Sequence, residues 1–359
     1  MEIKDKKSEL LSFLNSGILF HKDGGIHAWI SNVNEPAFLY SEISGYFLTL
    51  SSYLISTGHV KESDPIFKQA EKTCKWLLED MLTKHGSFVD RKSNDKFGSK
   101  TFFFDDFIII QGIINYSSIL GKKDILGRAL ILLKDLSSYW RDDQGYCSLK
   151  DLDGGLLDSQ ETWSTTIGPH HLKAVLPLLN AFESTKDSFY KDEAFSLKEY
   201  IFKNFLEDDL FLSEPDSIHS HSLLYALEAM IIFNHYFPDD VLKKVILKNF
   251  STLTMQIDKG SIPRFKKEGV ANYNPRVDIY FQYLRVQSLI EYLNITDLEC
   301  NQKMIIERIE KYYNKDSYVF GTDGLGKEIN DKTSWINFMA LQYYISLETD
   351  KSLLLKYLV

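Results

Sequence analysis

A short turn element recurs along the 359-residue chain and constrains its fold more than any other feature. Its copies read KDGGIHAW at 22–29, KHGSFVDR at 84–91, DQGYCSL at 143–149, DDLFLSE at 208–214, KGSIPRF at 259–265 and DSYVFGTDG at 316–324. Each copy places a glycine or an acidic turn before a short extended apolar stretch. The copies lie roughly 50 to 65 residues apart, a spacing typical of repeat architectures.

Two helix-like segments separate successive turns. The first segments are predicted at 44–57, 104–119, 168–183, 219–236, 276–293 and 333–347. The second segments are predicted at 64–83, 123–140, 190–206, 239–256 and 297–314, with either 350–358 or the N-terminal 5–16 as the sixth. First segments are apolar nearly all round and second segments carry a Lys/Glu face, which predicts an inner and an outer layer.

The fold class that follows is all-α. We predict an (α/α)6 toroid of six helical hairpins, with short β-like turn elements in the long links, as a single domain over residues 1–359. An open helical solenoid is the alternative, but it would be expected to carry polar capping repeats, and neither terminus shows one clearly.

The lengths of the links predict where a binding site lies. Links from an inner to an outer helix are short, whereas links from an outer helix to the next inner helix are long. All long links must therefore emerge at one end of an antiparallel ring, and binding residues tend to lie on such loops. Polar and titratable residues cluster where the inner segments begin: Glu42, Asp105, Asp106, Glu161, His170, His171, His219, His221, Arg276, Asp278 and Trp335.

Four segments of the chain resemble the sequences of a known superfamily. They read GGIHAW followed by YSEISGY (24–46), HSLLYALE (221–228), PRVDIYFQYLR (275–285) and SWINFMALQ (334–342). The chain resembles the six-hairpin glycosidase-like (α/α)6-toroid superfamily, and more narrowly uncharacterised members associated with bacterial polysaccharide biosynthesis. The resemblance implies carbohydrate chemistry without fixing the reaction, because relatives include glycoside hydrolases, uronate-processing lyases and sugar epimerases. The His-Pro-Gly-His signature of N-acylglucosamine 2-epimerases is absent from the sequence.

Carboxyl groups are the candidate catalytic residues. Hydrolysis of a glycosidic bond needs two of them on opposite sides of the scissile linkage. Glu42 with Asp105 or Asp106 is the first predicted pair, and Glu161 and Asp278 are the reserve. The alternative for each is an acid that only stabilises the start of a helix.

Aromatic rings, histidines and arginines are the candidate substrate-binding residues. They are Trp29, Tyr46, Trp163, His170, His171, His221, Tyr225, Arg276, Tyr280, Arg285 and Trp335. Aromatic rings can stack on the apolar faces of sugars, and an arginine suits a carboxylate or phosphate on the sugar. Core packing and a buried Asp–Arg pair are the structural alternatives. The sequence predicts no cofactor and no metal, since it has no phosphate-binding glycine loop and no third ligand beside His219 and His221.

Charge and hydropathy argue against nucleic-acid-binding, secreted and membrane-spanning proteins. The net charge of −9, from 41 basic and 50 acidic residues, disfavours a nucleic-acid partner. The first residues lack the pattern of a signal peptide, and no stretch has the apolar length of a membrane span. We therefore expect a soluble cytoplasmic protein whose partner is an oligo- or polysaccharide; its oligomeric state is left open.

The leading functional hypothesis is a carbohydrate-active enzyme of polysaccharide metabolism or biosynthesis. Its substrate would be a glycan, a uronate-containing one among the options, and the carboxylate pair would make it a glycoside hydrolase. An epimerase or lyase acting on a uronate or another sugar is the first alternative. A non-catalytic glycan-binding or scaffold protein of a polysaccharide-assembly system is the second.

Overall fold

The computed structural model describes residues 3–93, 96–141, 145–158, 165–214, 216–295 and 302–359. Its α-helices are α1 (Ile3–Asn15), α2 (Ser41–Ser56), α3 (Pro65–Trp76), α4 (Phe103–Ile119), α5 (Lys123–Lys134), α6 (Val175–Thr185), α7 (Ser188–Phe205), α8 (Ser220–Tyr236), α9 (Asp240–Met255), α10 (Val277–Tyr292), α11 (Gln302–Ile309), α12 (Ser334–Ser346) and α13 (Ser352–Tyr357). A π-helical turn at Leu77–Met81 continues α3, and 3-10 turns at Asp135–Tyr139, Pro169–Ala174 and Glu310–Tyr312 adjoin α5, α6 and α11. None of the described helices is long and apolar enough to cross a membrane.

The strands are two or three residues long and lie in the long links. They are β1 (Trp29–Ile30), β2 (Leu39–Tyr40), β3 (Arg91–Ser93), β4 (Lys96–Phe97), β5 (Lys100–Phe102), β6 (Trp140–Arg141), β7 (Gly145–Tyr146), β8 (Leu149–Asp151), β9 (Leu156–Leu157), β10 (Leu206–Glu207), β11 (Leu210–Phe211), β12 (Ser217–His219), β13 (Phe265–Lys267), β14 (Val270–Asn272), β15 (Tyr313–Asn314), β16 (Ser317–Tyr318), β17 (Gly321–Thr322), β18 (Glu328–Ile329) and β19 (Lys332–Thr333). Every pairing among them is antiparallel, as in β2-β3-β4, β5-β8-β9 and β12-β13-β14.

Six inner helices form a closed ring. Helices α2, α4, α6, α8, α10 and α12 contact one another in that order, and α12 contacts α2 again. The outer helices α3, α5, α7, α9 and α11 each pack on the inner helix of their own hairpin, and α1 packs on α12 and α3. The N-terminal segment is thus the sixth outer helix, which decides between the two predicted alternatives. The predicted toroid is confirmed, and the open solenoid is wrong because the first and last hairpins touch.

Each copy of the turn element is a small hairpin that directly follows an outer helix. The paired residues are Phe20 with Ile26, Leu82 with Phe88, Trp140 with Tyr146, Leu206 with Phe211, Asp258 with Ser261, and Tyr313 with Tyr318. The β-like turn elements predicted from the sequence repeat are therefore confirmed.

A repeated hydrogen bond fixes the start of five of the six inner helices, α2, α4, α8, α10 and α12, to the following link. The first backbone amides of a helix have no partner within it, so they need acceptors elsewhere. The donor and acceptor pairs are Ser41 to Asp90, Phe103 to Ser148, Ser220 to Arg264, Val277 to Phe320, and Ser334 to Ala28. The last pair joins the end of the chain to its beginning. Beside it, Trp29 pairs with Thr333 between β1 and β19 and closes the ring.

Two predicted starts of inner helices differ from the structure by more than one residue. Helix α2 begins at Ser41 rather than at 44, which brings Glu42 into its first turn. The segment predicted from 168 begins as a 3-10 turn, and its α-helix starts at Val175. Pro177 explains the second difference, because proline has no backbone N–H and is tolerated only in the first turn of an α-helix.

Helices α2 and α4 approach each other closely through glycines. A Cβ atom on Gly45 would lie 2.7 Å from the Cα of Ile109, and one on Gly112 would overlap the carbonyl oxygen of Gly45. Neither helix can therefore carry a side chain at this crossing without moving apart from its neighbour.

Replacing Gly112 by alanine should destabilise the protein by about 1–3 kcal/mol, because the added methyl overpacks the contact between α2 and α4. Gly127→Ala is the matched control. Gly127 lies in the outer helix α5 with open space around its Cα, so alanine there should raise the free energy of unfolding by up to about 1 kcal/mol. Urea unfolding of both variants measures the difference. Equal effects at the two positions would contradict the close packing.

Candidate active site at the long-link end of the ring

A cavity of about 580 Å³ opens at the end of the ring where the long links emerge. The second residue of five inner segments lines it: Glu42, Phe104, His170, His221 and Trp335. The other lining residues are Tyr40, Ile43, Tyr46, Asp90, Arg91, Gly98, Ser99, Lys100, Phe102, Asp105, Thr165, Tyr225 and Arg276. The repeat therefore brings equivalent helix positions together around one pocket.

Three residues that line this cavity, Glu42, Asp90 and Asp105, carry carboxyl groups. Asp90 accepts a hydrogen bond from Nε of Arg91 (2.6 Å), which leaves Glu42 and Asp105 as the candidate pair. Burial raises the pKa of Glu42 to about 7, although a hydrogen bond with Tyr40 and the charges of Lys173 and Arg276 act in the opposite direction. The pKa of Asp105 is raised well above its usual value by burial and by the neighbouring charges of Glu42, Asp90 and Asp106. Both acids therefore hold protons at a pH where exposed carboxyls have lost them.

Tyr40 lines the same cavity, and its hydroxyl lowers the pKa of both carboxyl groups by less than burial raises it. The charge of Glu42 in turn raises the pKa of Asp105. Two neighbouring carboxyls of this kind resist ionising together, which favours a state in which Glu42 and Asp105 hold one proton between them.

Asp106 does not line the cavity, because it is rotated by about 100° around the helix axis from Asp105, which does. Its carboxylate accepts the backbone amide of Phe88 (2.7 Å) and the hydroxyl of Tyr139 (2.6 Å). Asn337, which is also the fourth residue of its helix, accepts the amide of Tyr318 in the same way (2.7 Å). Asp106 holds a turn hairpin against the ring, and burial raises its pKa to about 6.

The two histidines that line the cavity are neutral near pH 7. Burial, helped by the charge of Arg276, lowers the pKa of His221 to about 3, and burial lowers the pKa of His170 well below its usual value. Nδ1 of His221 lies 2.6 Å from Oε1 of Gln282, so it carries the ring proton. His171 lies behind the wall, 5.3 Å from the ring of Phe103, and burial lowers its pKa to about 3.

Asp278 lies just behind the cavity wall and is fully buried. Its Oδ2 accepts hydrogen bonds from Nη2 of Arg276 (2.8 Å) and from Nε1 of Trp335 (3.0 Å). Burial alone would raise the pKa of Asp278, but Arg276, His221 and these hydrogen bonds together hold it below its usual value. Asp278 is therefore ionised and orients Arg276 and Trp335 toward the pocket.

Two tyrosines form the floor of the cavity. The hydroxyl of Tyr46 on α2 donates to that of Tyr225 on α8, 2.9 Å away across the ring. Nζ of Lys173 lies beneath them, 4.4 Å from the ring centre of Tyr225 and 5.2 Å from that of Tyr46.

Three other predicted substrate contacts lie away from the cavity lining. Arg285 is fully buried below the tyrosine floor, where it donates to Glu228 (2.7 Å) and Gln342 (2.8 Å). Tyr280 is fully buried on α10. Trp29 packs edge-on against Phe38 in the long link between α1 and α2. The two remaining candidates, Glu161 and Trp163, lie outside the described residues.

Several lining residues were not among the sequence candidates. Tyr40 was missed because its helix was predicted to begin later, although it stands two residues before Glu42. Asp90, Lys100 and Thr165 lie in long links, where no periodicity marks the residues that point inward. Within the described ranges, no group of three or more His, Cys, Asp or Glu side chains has the geometry of a metal site.

Replacing Glu42 by glutamine should change how stability depends on pH. The folded state holds the Glu42 proton up to about pH 7, whereas the unfolded chain releases it near its usual pKa of 4.5. The wild type therefore loses stability from this group as the pH rises through that window, by at most on the order of 3 kcal/mol. Urea unfolding between pH 4.5 and 7 should show the free energy of unfolding of the variant rising relative to that of the wild type as the pH increases. Parallel curves would contradict the raised pKa.

Comparison with solved structures agrees with the toroid fold. No family model and no curated protein matches the chain in sequence. A sugar epimerase from a ruminal bacterium has a TM-score of 0.78 at 13% identity, covering 98% of this chain and 100% of its own. Cellobiose 2-epimerase from Bacillus thermoamylovorans has a TM-score of 0.77 at 11% identity, covering 95% of this chain and 98% of its own. An inactive variant of a Salegentibacter α-1,6-mannanase has a TM-score of 0.66 at 11% identity, covering 97% of this chain and 100% of its own. At such identities the likeness establishes the (α/α)6 toroid fold.

Proposed function

We propose that the protein is a carbohydrate-active enzyme that hydrolyses a glycosidic bond, with Glu42 and Asp105 as its acid and base. The observation that carries this proposal is that the carboxyl groups of Glu42 and Asp105 line one cavity, both with raised pKa values. We further propose that the substrate is a glycan of polysaccharide metabolism or biosynthesis.

The pair suits hydrolysis because its members resist ionising together. When one carboxyl is ionised, its charge raises the pKa of the other, so the pair holds one proton across an intermediate pH range. The protonated member can give its proton to the leaving oxygen as the C–O bond breaks. The ionised member can take a proton from the attacking water or attack the sugar carbon itself. In the first case a proton must pass back from the base to the acid, directly or through water, before the next turnover. In the second case the former acid regains its proton from the water that hydrolyses the sugar–carboxyl bond.

The walls of the cavity suit a sugar. Trp335 and Phe104 offer flat apolar faces, and the hydroxyls of Tyr46 and Tyr225 offer hydrogen bonds at the floor. Arg276 lines the same wall with its guanidinium fixed by Asp278, which suits a carboxylate on the substrate. A uronate-containing glycan is therefore one of the proposed substrates.

One structural neighbour adds support for hydrolysis. The mannanase was solved with α-1,6-mannotriose as an inactive variant in which two consecutive aspartates are replaced by asparagine. This chain carries consecutive aspartates, Asp105 and Asp106, in the first turn of an inner helix. Only Asp105 lines the cavity, which is why we choose it as the partner of Glu42.

Replacing either proposed catalytic acid should abolish most of the activity. Glu42→Gln and Asp105→Asn should each lower kcat by at least about 100-fold, because general acid–base catalysis contributes that much or more. Release of new reducing ends from a panel of bacterial glycans measures it. The exposed Glu79, replaced by glutamine, is the matched control and should leave kcat unchanged. Full activity in both cavity variants would contradict the assignment of Glu42 and Asp105. A wild-type protein that binds a glycan of the panel but releases no reducing ends from it would favour a non-catalytic glycan-binding protein.

Asp106→Asn distinguishes the two adjacent aspartates. The amide of Phe88 and the hydroxyl of Tyr139 donate to different oxygens of Asp106, and in asparagine one of these oxygens is replaced by an NH2 group that cannot accept. The variant should lose about 1–3 kcal/mol of stability while its folded fraction keeps its kcat. A folded, stable Asp106→Asn enzyme with no activity would contradict the assignment to Asp105.

Sugar epimerisation is the second candidate, favoured by the neutral His170 and His221 in the same cavity. Such histidines could move a proton at a sugar carbon, and two of the compared structures are a sugar epimerase and a cellobiose 2-epimerase. Reaction in deuterated water separates the two functions. An epimerase places deuterium on a sugar carbon without cleaving the chain, whereas a hydrolase cleaves the glycosidic bond and leaves the carbon-bound hydrogens unchanged.

A further inference from the structure

We infer that the pocket accepts a single sugar unit below the carboxyl pair, so that the enzyme removes terminal units from the end of a glycan. This inference rests on the proposed function and adds its substrate class: the exposed end of a chain, or a glycoside of one sugar. It follows from the depth of the cavity and from what closes the ring beneath it.

The depth follows from the helical rise. Glu42 is the second residue of α2 and Tyr46 the sixth, and His221 and Tyr225 hold the same two positions on α8. Four residues of α-helix rise about 6 Å, which is close to the width of one pyranose ring. The space between the level of the carboxyls and the tyrosine floor therefore takes one ring.

The floor cannot open to a longer chain, because charged residues fill the ring below it. Nζ of Lys173 bonds to a carboxylate oxygen of Glu228 (2.9 Å) and to the main-chain oxygen of Val359 (2.9 Å). The other carboxylate oxygen of Glu228 accepts from Arg285 (2.7 Å), and all three charged side chains are fully buried. Separating these partners would leave unpaired charges in the core, at high cost.

The C-terminal segment from Lys356 to Val359, which is the end of α13 and the two residues after it, closes the other end of the ring. Nε2 of Gln342 donates to the carbonyl of Tyr357 (2.6 Å), and Nε2 of Gln111 donates to that of Leu358 (3.3 Å). Nδ2 of Asn180 donates to the carbonyl of Lys356 (3.2 Å). Three inner helices thus hold this segment across the ring, and no glycan can pass through.

The position of Asp105 makes this depth decisive. Its side chain is 5% exposed and lies within the ring, so a scissile bond must enter the cavity to reach it. An internal linkage would need room for several units on both sides of the carboxyl pair. One side offers room for one unit only, so the bond that reaches the pair is the one that joins a terminal unit.

The first test uses glycosides of single sugars. A panel of p-nitrophenyl hexosides, N-acetylhexosaminides and hexuronides, in both anomeric forms, offers one unit for the pocket and a leaving group outside it. We expect at least one to release nitrophenol, with water adding to the sugar carbon. A linear oligosaccharide of the reacting sugar, labelled with 2-aminobenzamide at its reducing end, should then shorten by one unit at a time from its other end.

The outcomes separate the two proposals. Labelled fragments of mixed length in the first turnovers, or cleavage of polysaccharides with no reaction on any single-sugar glycoside, would overturn the one-unit pocket and leave the hydrolase intact. No cleavage of any glycoside or polysaccharide would overturn the proposed function and this inference with it.

Variants of two buried tyrosines test the floor itself. Tyr225→Phe removes one hydroxyl from the floor and should lower kcat/KM on the reacting glycoside about 3- to 10-fold. Tyr53→Phe is the matched control, because Tyr53 is buried on α2 but bonds to Thr349, away from the cavity. Thermal unfolding checks that both variants fold. Equal kcat/KM for Tyr225→Phe and the wild type would show that the sugar does not reach the floor, and would overturn the inference.

Discussion

Burial of helices that have no polar face is the constraint on which the rest of this structure depends. Helix α4 is apolar on all sides, so it must be covered by its two ring neighbours and by an outer helix. Six such helices can each bury their apolar surface against two neighbours only if they form a closed ring. The amide of Ser334 bonding to the carbonyl of Ala28 completes that ring. The fold and the pocket share this origin, since the ring axis is where the inner helix starts converge.

Closure of the ring also produces the chemistry of the site. The second residues of the inner segments meet at the mouth, so Glu42, His170 and His221 are brought together from distant parts of the sequence. The same burial that stabilises the helices raises the pKa values of the acids and lowers those of the histidines. Asp278 is the exception, because Arg276 compensates its charge. The site thus holds proton-sharing acids beside neutral bases.

The fold could be predicted from the sequence because its two signals are local. These are the recurring turn element and the alternation of apolar with amphipathic segments. The sequence also predicted the mouth and most of the residues around it. It could not choose between Asp105 and Asp106, because that choice depends on the helix phase relative to the ring axis. Arg285 shares a helix face with Asp278, but it lies about two turns deeper, where Glu228 from α8 meets it. A partner that comes from another helix, such as Glu228 for Arg285, cannot be predicted from the sequence of one helix alone.

The central claim is that Glu42 and Asp105 share a proton near neutral pH, and carboxyl carbon NMR tests it most directly. With ¹³C-labelled glutamate and aspartate, the side-chain carboxyl of Glu42 can be assigned by its loss in Glu42→Gln. It should titrate near pH 7, with a second transition of Asp105 also well above the range of exposed aspartates. A Glu42 carboxyl that titrates close to its usual pKa of 4.5 would contradict the account.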